Sequence, residues 1–163
     1  AVGGFKGNHH LKASDCPKFI FEKFFSFAFV RNPWDRCFSA YRYLLKGGDQ
    51  GYMDLEDKEK YVNKYDSFYD FLKNGLAKAI IMQQHFKRQI HYIDKDLNFV
   101  GKFENINSDF SLLSNMIECD NNLTKENYNP NPDYRKFYNE ESINIVYNFY
   151  KKDVEKFNYQ FWL

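Results

Sequence analysis

A run of aromatic and β-branched residues, Phe25-Ser26-Phe27-Ala28-Phe29-Val30, passes without an intervening loop into Arg31-Asn32-Pro33-Trp34-Asp35. This junction constrains the chain more than any other segment. A continuous apolar run of this length reads as a strand covered on both faces, the kind used in parallel sheets. The residues after it start a helix. Asn32 can cap, Pro33 takes the first helical position where a missing N–H is harmless, and Asp35 falls in the first turn, where the helix dipole favours an anion. The helix is predicted to run to about Lys46 and to end at Gly47-Gly48. Its apolar stripe is Trp34, Cys37, Phe38, Tyr41, Leu44 and Leu45. Arg31 then sits beyond the carboxyl end of a strand and at the start of a helix, where doubly wound α/β folds bind their ligands.

The rest of the chain continues the alternation. Phe19–Lys23 suits a short helix. The polar stretch 48–64 reads as a surface loop or an exposed helical turn. Ser67-Phe68-Tyr69-Asp70 opens a helix through a capping box and closes at Asn74-Gly75. Leu76–Phe86 is helical by pattern, and Leu97–Phe103 is a second strand. Ser108–Ile117 is a helix, and Asn121–Asp133, with Pro130 and Pro132, is a loop. Asn139–Phe157 is the longest helix, with Ile143, Val146, Tyr147, Tyr150, Val154 and Phe157 on one face. Strands separated by helices imply a parallel sheet flanked by helices in an α/β fold.

Composition excludes several classes. The 163 residues suit one domain, and eighteen Phe, thirteen Tyr and two Trp supply a substantial core, which excludes disorder. The longest apolar runs fall far short of the ~18 residues that a bilayer span requires. Residues 1–46 carry eight Lys/Arg against three acids, while the remainder is net acidic, although the whole chain is only +1. A basic first third suits an anionic partner, or else a solvated face. Single-stranded nucleic acid is a poor fit, because the aromatics fall at core spacing and the acidic remainder would repel a phosphate backbone. Three cysteines, Cys16, Cys37 and Cys119, form neither a disulfide framework nor a zinc pattern, and His85, His91 and Cys119 have no zinc spacing. No metal is expected, and a reducing, cytoplasmic location is.

Candidate chemistry begins at Arg31. Its permanently charged fork matches phosphate oxygens, and Ser39, in the same helix, reaches the same anion if that anion lies along the helix flank. The competing reading pairs Arg31 with Asp35 and leaves Ser39 neutral on the helix surface. Arg36 and Arg42 read as a solvated face or ion pairs. His9-His10, adjacent in a Gly/Asn-rich loop, suit proton transfer near neutral pH, or are a surface pair. There is no Walker Gly-x-x-x-x-Gly-Lys-(Ser/Thr) motif, which excludes the common ATPase and kinase readings.

The segment Phe29–Arg42 resembles the 3′-phosphate-binding motif of sulfotransferases that use PAPS (3′-phosphoadenosine 5′-phosphosulfate). The pattern Arg-x-Pro-x-x-Arg-x-x-Ser-x-Tyr is met by Arg31, Pro33, Arg36, Ser39 and Tyr41. Gln89-Ile90-His91-Tyr92-Ile93, the stretch Phe99-Val100-Gly101-Lys102-Phe103-Glu104-Asn105-Ile106 with Asp109-Phe110, and Tyr134-Arg135-Lys136-Phe137-Tyr138 before the long helix are similar to further segments of the family 2 branch, in the right order. That branch includes the heparan sulfate 2-O-sulfotransferases.

The resemblance implies a three-layer fold with the topology of P-loop nucleotide kinases. It implies transfer of a sulfuryl group from PAPS to a hydroxyl of a carbohydrate or other acceptor, with adenosine 3′,5′-bisphosphate as product. Arg31 and Ser39 would hold the 3′-phosphate, Arg135 would close over the nucleotide, and His10 or His9 would take the acceptor's proton. The polar segment 47–66 is expected to border the acceptor. The family opens with a strand and a Lys- and Ser/Thr-bearing loop for the 5′-phosphosulfate, and no part of residues 1–163 matches that loop. The expectation is therefore a single, N-terminally incomplete sulfotransferase-like domain, with strand and loop upstream of Ala1. An upstream membrane anchor would move it to the Golgi lumen. The alternative is a non-catalytic relative that binds adenosine 3′,5′-bisphosphate or another anionic partner.

Overall fold

The computed structural model describes residues 10–123 and 132–162. His9 and the middle of the predicted 121–133 loop lie outside the described residues. The elements in chain order are α1 (Lys18–Lys23), β1 (Phe27–Val30), α2 (Pro33–Leu45), α3 (Tyr52–Asp57), α4 (Phe68–Asn74), α5 (Leu76–Met82), α6 (Gln89–Tyr92), β2 (Phe99–Lys102), α7 (Ile106–Ile117) and α8 (Glu140–Lys156). Single 3₁₀ turns at Phe103–Asn105 and Tyr134–Phe137 precede α7 and α8.

Among the described residues β1 and β2 form a two-stranded parallel sheet, with Phe27 opposite Phe99 and Val30 opposite Lys102. The α/β expectation holds at this level: helices dominate and the strands run parallel. Both strands are shorter than their apolar runs. Full burial of β1 is not observed. Only Val30 is buried, and Phe27 is 49% exposed, because among the described residues β1 has a single strand neighbour to help cover it. Gly101 is required by a close approach. A Cβ there would lie 2.4 Å from Cε1 of Phe29, whose ring packs edge-on to Phe99.

The junction after β1 folds as its residues dictate. Asn32 accepts the Trp34 N–H at 3.1 Å, and Pro33 opens α2. The helix buries Trp34, Cys37, Phe38, Tyr41 and Leu44, whereas Leu45 is exposed. It stops where Gly47 and Gly48 take φ of +85° and +56°. Gly48 is also pressed against Asp54: a Cβ would fall 2.2 Å from its Oδ2.

α8 covers α2 and α4. Trp34 Nε1 donates to the Ile143 carbonyl at 3.0 Å, Tyr138 Oη to the Trp34 carbonyl at 2.8 Å, and Tyr150 Oη to the Phe86 carbonyl at 2.6 Å. Helical geometry breaks at Tyr150 (φ −109°, ψ 17°), inside the predicted uninterrupted helix. Two further expectations are corrected. The 48–64 stretch matches the exposed helical turn only in α3, which buries no residue; the π-helical turn that follows, Lys58–Val62, buries Tyr61 and Val62. Two apolar residues among so many charges leave too weak a period to read. The helix predicted over 76–86 ends at Met82, because Gln83 turns to extended backbone and its side chain takes the His85 N–H at 2.6 Å.

The core explains which changes matter. Leu44 is 0% exposed and Leu112 54%. Leu44→Ala is expected to cost about 2–5 kcal/mol and Leu112→Ala less than about 0.5 kcal/mol, read from the midpoints of denaturant unfolding curves.

Candidate functional site

Arg31 leaves the end of β1 with its backbone fixed and its side chain over α2. Nε donates to Asp35 Oδ2 at 2.6 Å, Nη1 to Ser39 Oγ at 3.2 Å, and the guanidinium carbon stands 4.6 Å from the centre of the Phe103 ring. The Arg31–Asp35 pair of the competing reading is present, and Ser39, two turns into the helix, is bonded to the same guanidinium. A guanidinium has five N–H donors in a rigid fork; Asp35 and Ser39 take one each.

The cluster lies in a cavity of about 340 Å³. Arg31, Arg36, Ser39 and Tyr43 form one wall. Gln84, His85 and Tyr92 face them, and His10 stands at the rim, exposed, with its ring 6.4 Å from that of Tyr92. The structure thus brings together His10, Arg31 and Ser39. Arg135 is not among the cavity's lining residues. It pairs with Asp133 on its own turn at 3.3 Å and stacks 4.8 Å over Tyr134. Closing over a nucleotide would require it to leave both partners.

Arg36, Tyr43, His85 and Tyr92 line the cavity without a site role having been read for them in the sequence. Arg36 is half-buried and, among the described residues, makes no ion pair: its Nη1 donates to the Lys87 carbonyl at 2.8 Å, tying α2 to the facing wall. His85, without zinc spacing in the sequence, lines the cavity with its ring 5.0 Å from Tyr43. Burial holds its pKa below the usual imidazole value, so it is neutral in the folded protein near neutral pH. Tyr43 donates to Asp54 Oδ2 at 2.9 Å, and burial together with that carboxylate pushes its hydroxyl up to about 12. Tyr92 falls within the resemblance at 89–93 but was given no role. The available signal was the pair of polar residues, Gln83 and Gln84, interrupting an otherwise apolar helical pattern just before His85. The segment 47–66 does not line the cavity; Asp54 and Asp57 of α3 instead brace it from behind, on Tyr43 and Gln83.

Among the described residues no cluster of His, Cys, Asp and Glu could hold a metal ion, and no helix is long and apolar enough to cross a membrane. The cavity sets a guanidinium and a hydroxyl beside the imidazoles of His10 and His85, at the carboxyl end of a parallel strand.

Comparison with known proteins gives this architecture its class. The model of the Sulfotransferase family matches residues 3–160. The chain belongs to the sulfotransferase family. No curated protein and no solved structure matches it.

The neutral His85 has a measurable consequence. Its lowered pKa means that the unfolded chain binds the proton more readily than the folded one. Stability contributed at neutral pH is therefore lost as pH falls through the unfolded value of 6.5. Thermal melts between about pH 5 and pH 7 are expected to show a slope that His85→Gln reduces. His91, lowered mainly by burial in the same direction, retains the remainder.

Proposed function

We propose that this domain transfers a sulfuryl group from PAPS to a hydroxyl group of a carbohydrate acceptor. The observation that carries the reading is the Arg31–Ser39 pair, 3.2 Å apart at the exit of β1 and open to a cavity that also holds an imidazole. A guanidinium and a hydroxyl, one braced by Asp35, match the oxygens of a 3′-phosphate. In this reading β1 and β2 belong to the three-layer sheet of P-loop-like sulfotransferases. The described residues fit the 3′-phosphate end of the donor and contribute no counterpart of the loop that receives the 5′-phosphosulfate.

When bound, PAPS supplies an activated sulfuryl group. Arg31 and Ser39 fix the nucleotide through its 3′-phosphate. His10 accepts the proton of the acceptor hydroxyl as that oxygen bonds to sulfur and the bond from sulfur to the 5′-phosphate oxygen breaks. His85, neutral and half enclosed, faces the same space as His10. Positioning and charge complementarity account for most of the rate in transfers of this type.

Two measurements test the reading. Calorimetry is expected to show that adenosine 3′,5′-bisphosphate binds more tightly than AMP. Arg31→Ala is expected to cost about 1.5–3 kcal/mol of that difference, and an unchanged preference removes the assignment. Labelled-sulfate transfer from PAPS to a panel of saccharides is expected to fall by about 10²–10⁴ in His10→Ala, with bisphosphate binding intact. Near-native turnover in that variant moves the base elsewhere.

A further inference from the structure

The position of Arg31 is set by a side chain that imitates a strand. Phe99 N–H donates to the Ser26 carbonyl at 3.1 Å, so the polar groups of Ser26 face β2. Backbone polar groups alternate between the two edges of an extended strand. Five residues on, the N–H and C=O of Arg31 must face the opposite edge, where the described residues supply no strand. Gln89 fills that edge. Its Oε1 accepts the Arg31 N–H at 2.8 Å and its Nε2 donates to the Arg31 carbonyl at 2.9 Å, the pair of bonds that a neighbouring peptide would make.

Gln89 is held in turn. It is 8% exposed, and Asp153, which is 0% exposed, accepts its N–H at 2.7 Å and the N–H of Ile90 at 3.0 Å. Asp153 stands on α8, one turn beyond the break at Tyr150. The other edge is clasped independently: Tyr159 Oη donates to the Val30 carbonyl at 3.1 Å and Glu104 accepts the Asn32 N–H at 2.6 Å. Of these side chains, Gln89 alone grips the peptide groups of Arg31 itself.

We propose that Gln89, fixed by Asp153, is the positioning residue that aims the Arg31 guanidinium into the cavity. The nucleotide arm of the test rests on the function proposed above; the second arm does not. Gln89→Met keeps the length of the side chain and removes both polar atoms. Gln89→Glu keeps the acceptor for the Arg31 N–H and removes the donor for its carbonyl. In the full chain, affinity for adenosine 3′,5′-bisphosphate is expected to fall about tenfold in Gln89→Met, while affinity for AMP changes less than about twofold, with Gln89→Glu intermediate. By NMR, hydrogen exchange at the Arg31 peptide N–H is expected to rise about tenfold or more in Gln89→Met, and the Arg31 Nε–H signal to shift and broaden, while amides of the α2 core keep their protection. If Gln89→Met does not fold, Gln89→Glu and Asp153→Asn carry both measurements, and a displaced Arg31 Nε–H signal is again expected. A folded variant with wild-type Arg31 exchange and an unaltered Nε–H signal overturns the proposal. If the wild-type protein itself does not prefer the bisphosphate to AMP, the assigned function falls, and the exchange data alone decide the role of Gln89.

Discussion

At the turn where β1 becomes α2 the described residues supply a neighbouring strand on one side only, and the rest of the site depends on how that is overcome. Peptide groups removed from water require partners. Here side chains from distant parts of the chain provide them: Tyr159 at Val30, Gln89 at Arg31 and Glu104 at Asn32, while the Asn32 side chain donates to the Gln160 carbonyl at 2.9 Å. Glu104 and Tyr159 also bond to each other at 2.9 Å. The C-terminal segment, the turn after β2 and the short α6 all converge on three consecutive residues. A cation at the mouth of the cavity is thereby placed by the whole tertiary structure and not by its own helix.

The electrostatics of the cavity follow from that placement. Arg31 is partly neutralised by Asp35, which limits the cost of holding a guanidinium against the Phe103 ring and keeps its fork oriented. Arg36 is held by the Lys87 carbonyl, and its positive charge adds to burial in holding the His85 pKa down. Asp153, buried away from the cavity, is shifted upward by desolvation and drawn back by the two N–H groups it accepts. Each charge is used for orientation first, and the ligand would meet what remains.

Local signals in the sequence were sufficient where a residue acts on its own neighbours. The Asn32 cap, Pro33, the glycine stop of α2 and the Ser67 cap, which accepts the Asp70 N–H at 3.1 Å, all act within four residues, and their elements were legible. Arg31 and Ser39 were legible because one helix brings them together. What could not be read was created by partners far apart in the chain. Gln89 meets Arg31 across 58 positions, and Asp153 meets Gln89 across 64. A glutamine in a short polar segment and an aspartate on a long helix look like ordinary surface residues until the fold places them inside. His85 was hidden for the same reason, since its importance comes from Tyr43 and His10 and not from its flanks.

The bracing of Tyr43 and Gln83 by Asp54 and Asp57 ties both sides of the cavity to α3. The Arg31 wall is anchored in the sheet, in α6 and in α8. Both sides also lean on α3, a short helix set between the glycine turn and a π-helical turn on a polar stretch of chain. Lengthening, shortening or recharging that stretch would reach the cavity through Tyr43 and Gln83, while the bonds that clasp the backbone around Arg31, from Gln89, Tyr159 and Glu104, lie elsewhere. Under the proposed function such a division would let the outer part of the cavity change shape while the backbone of Arg31 stays held.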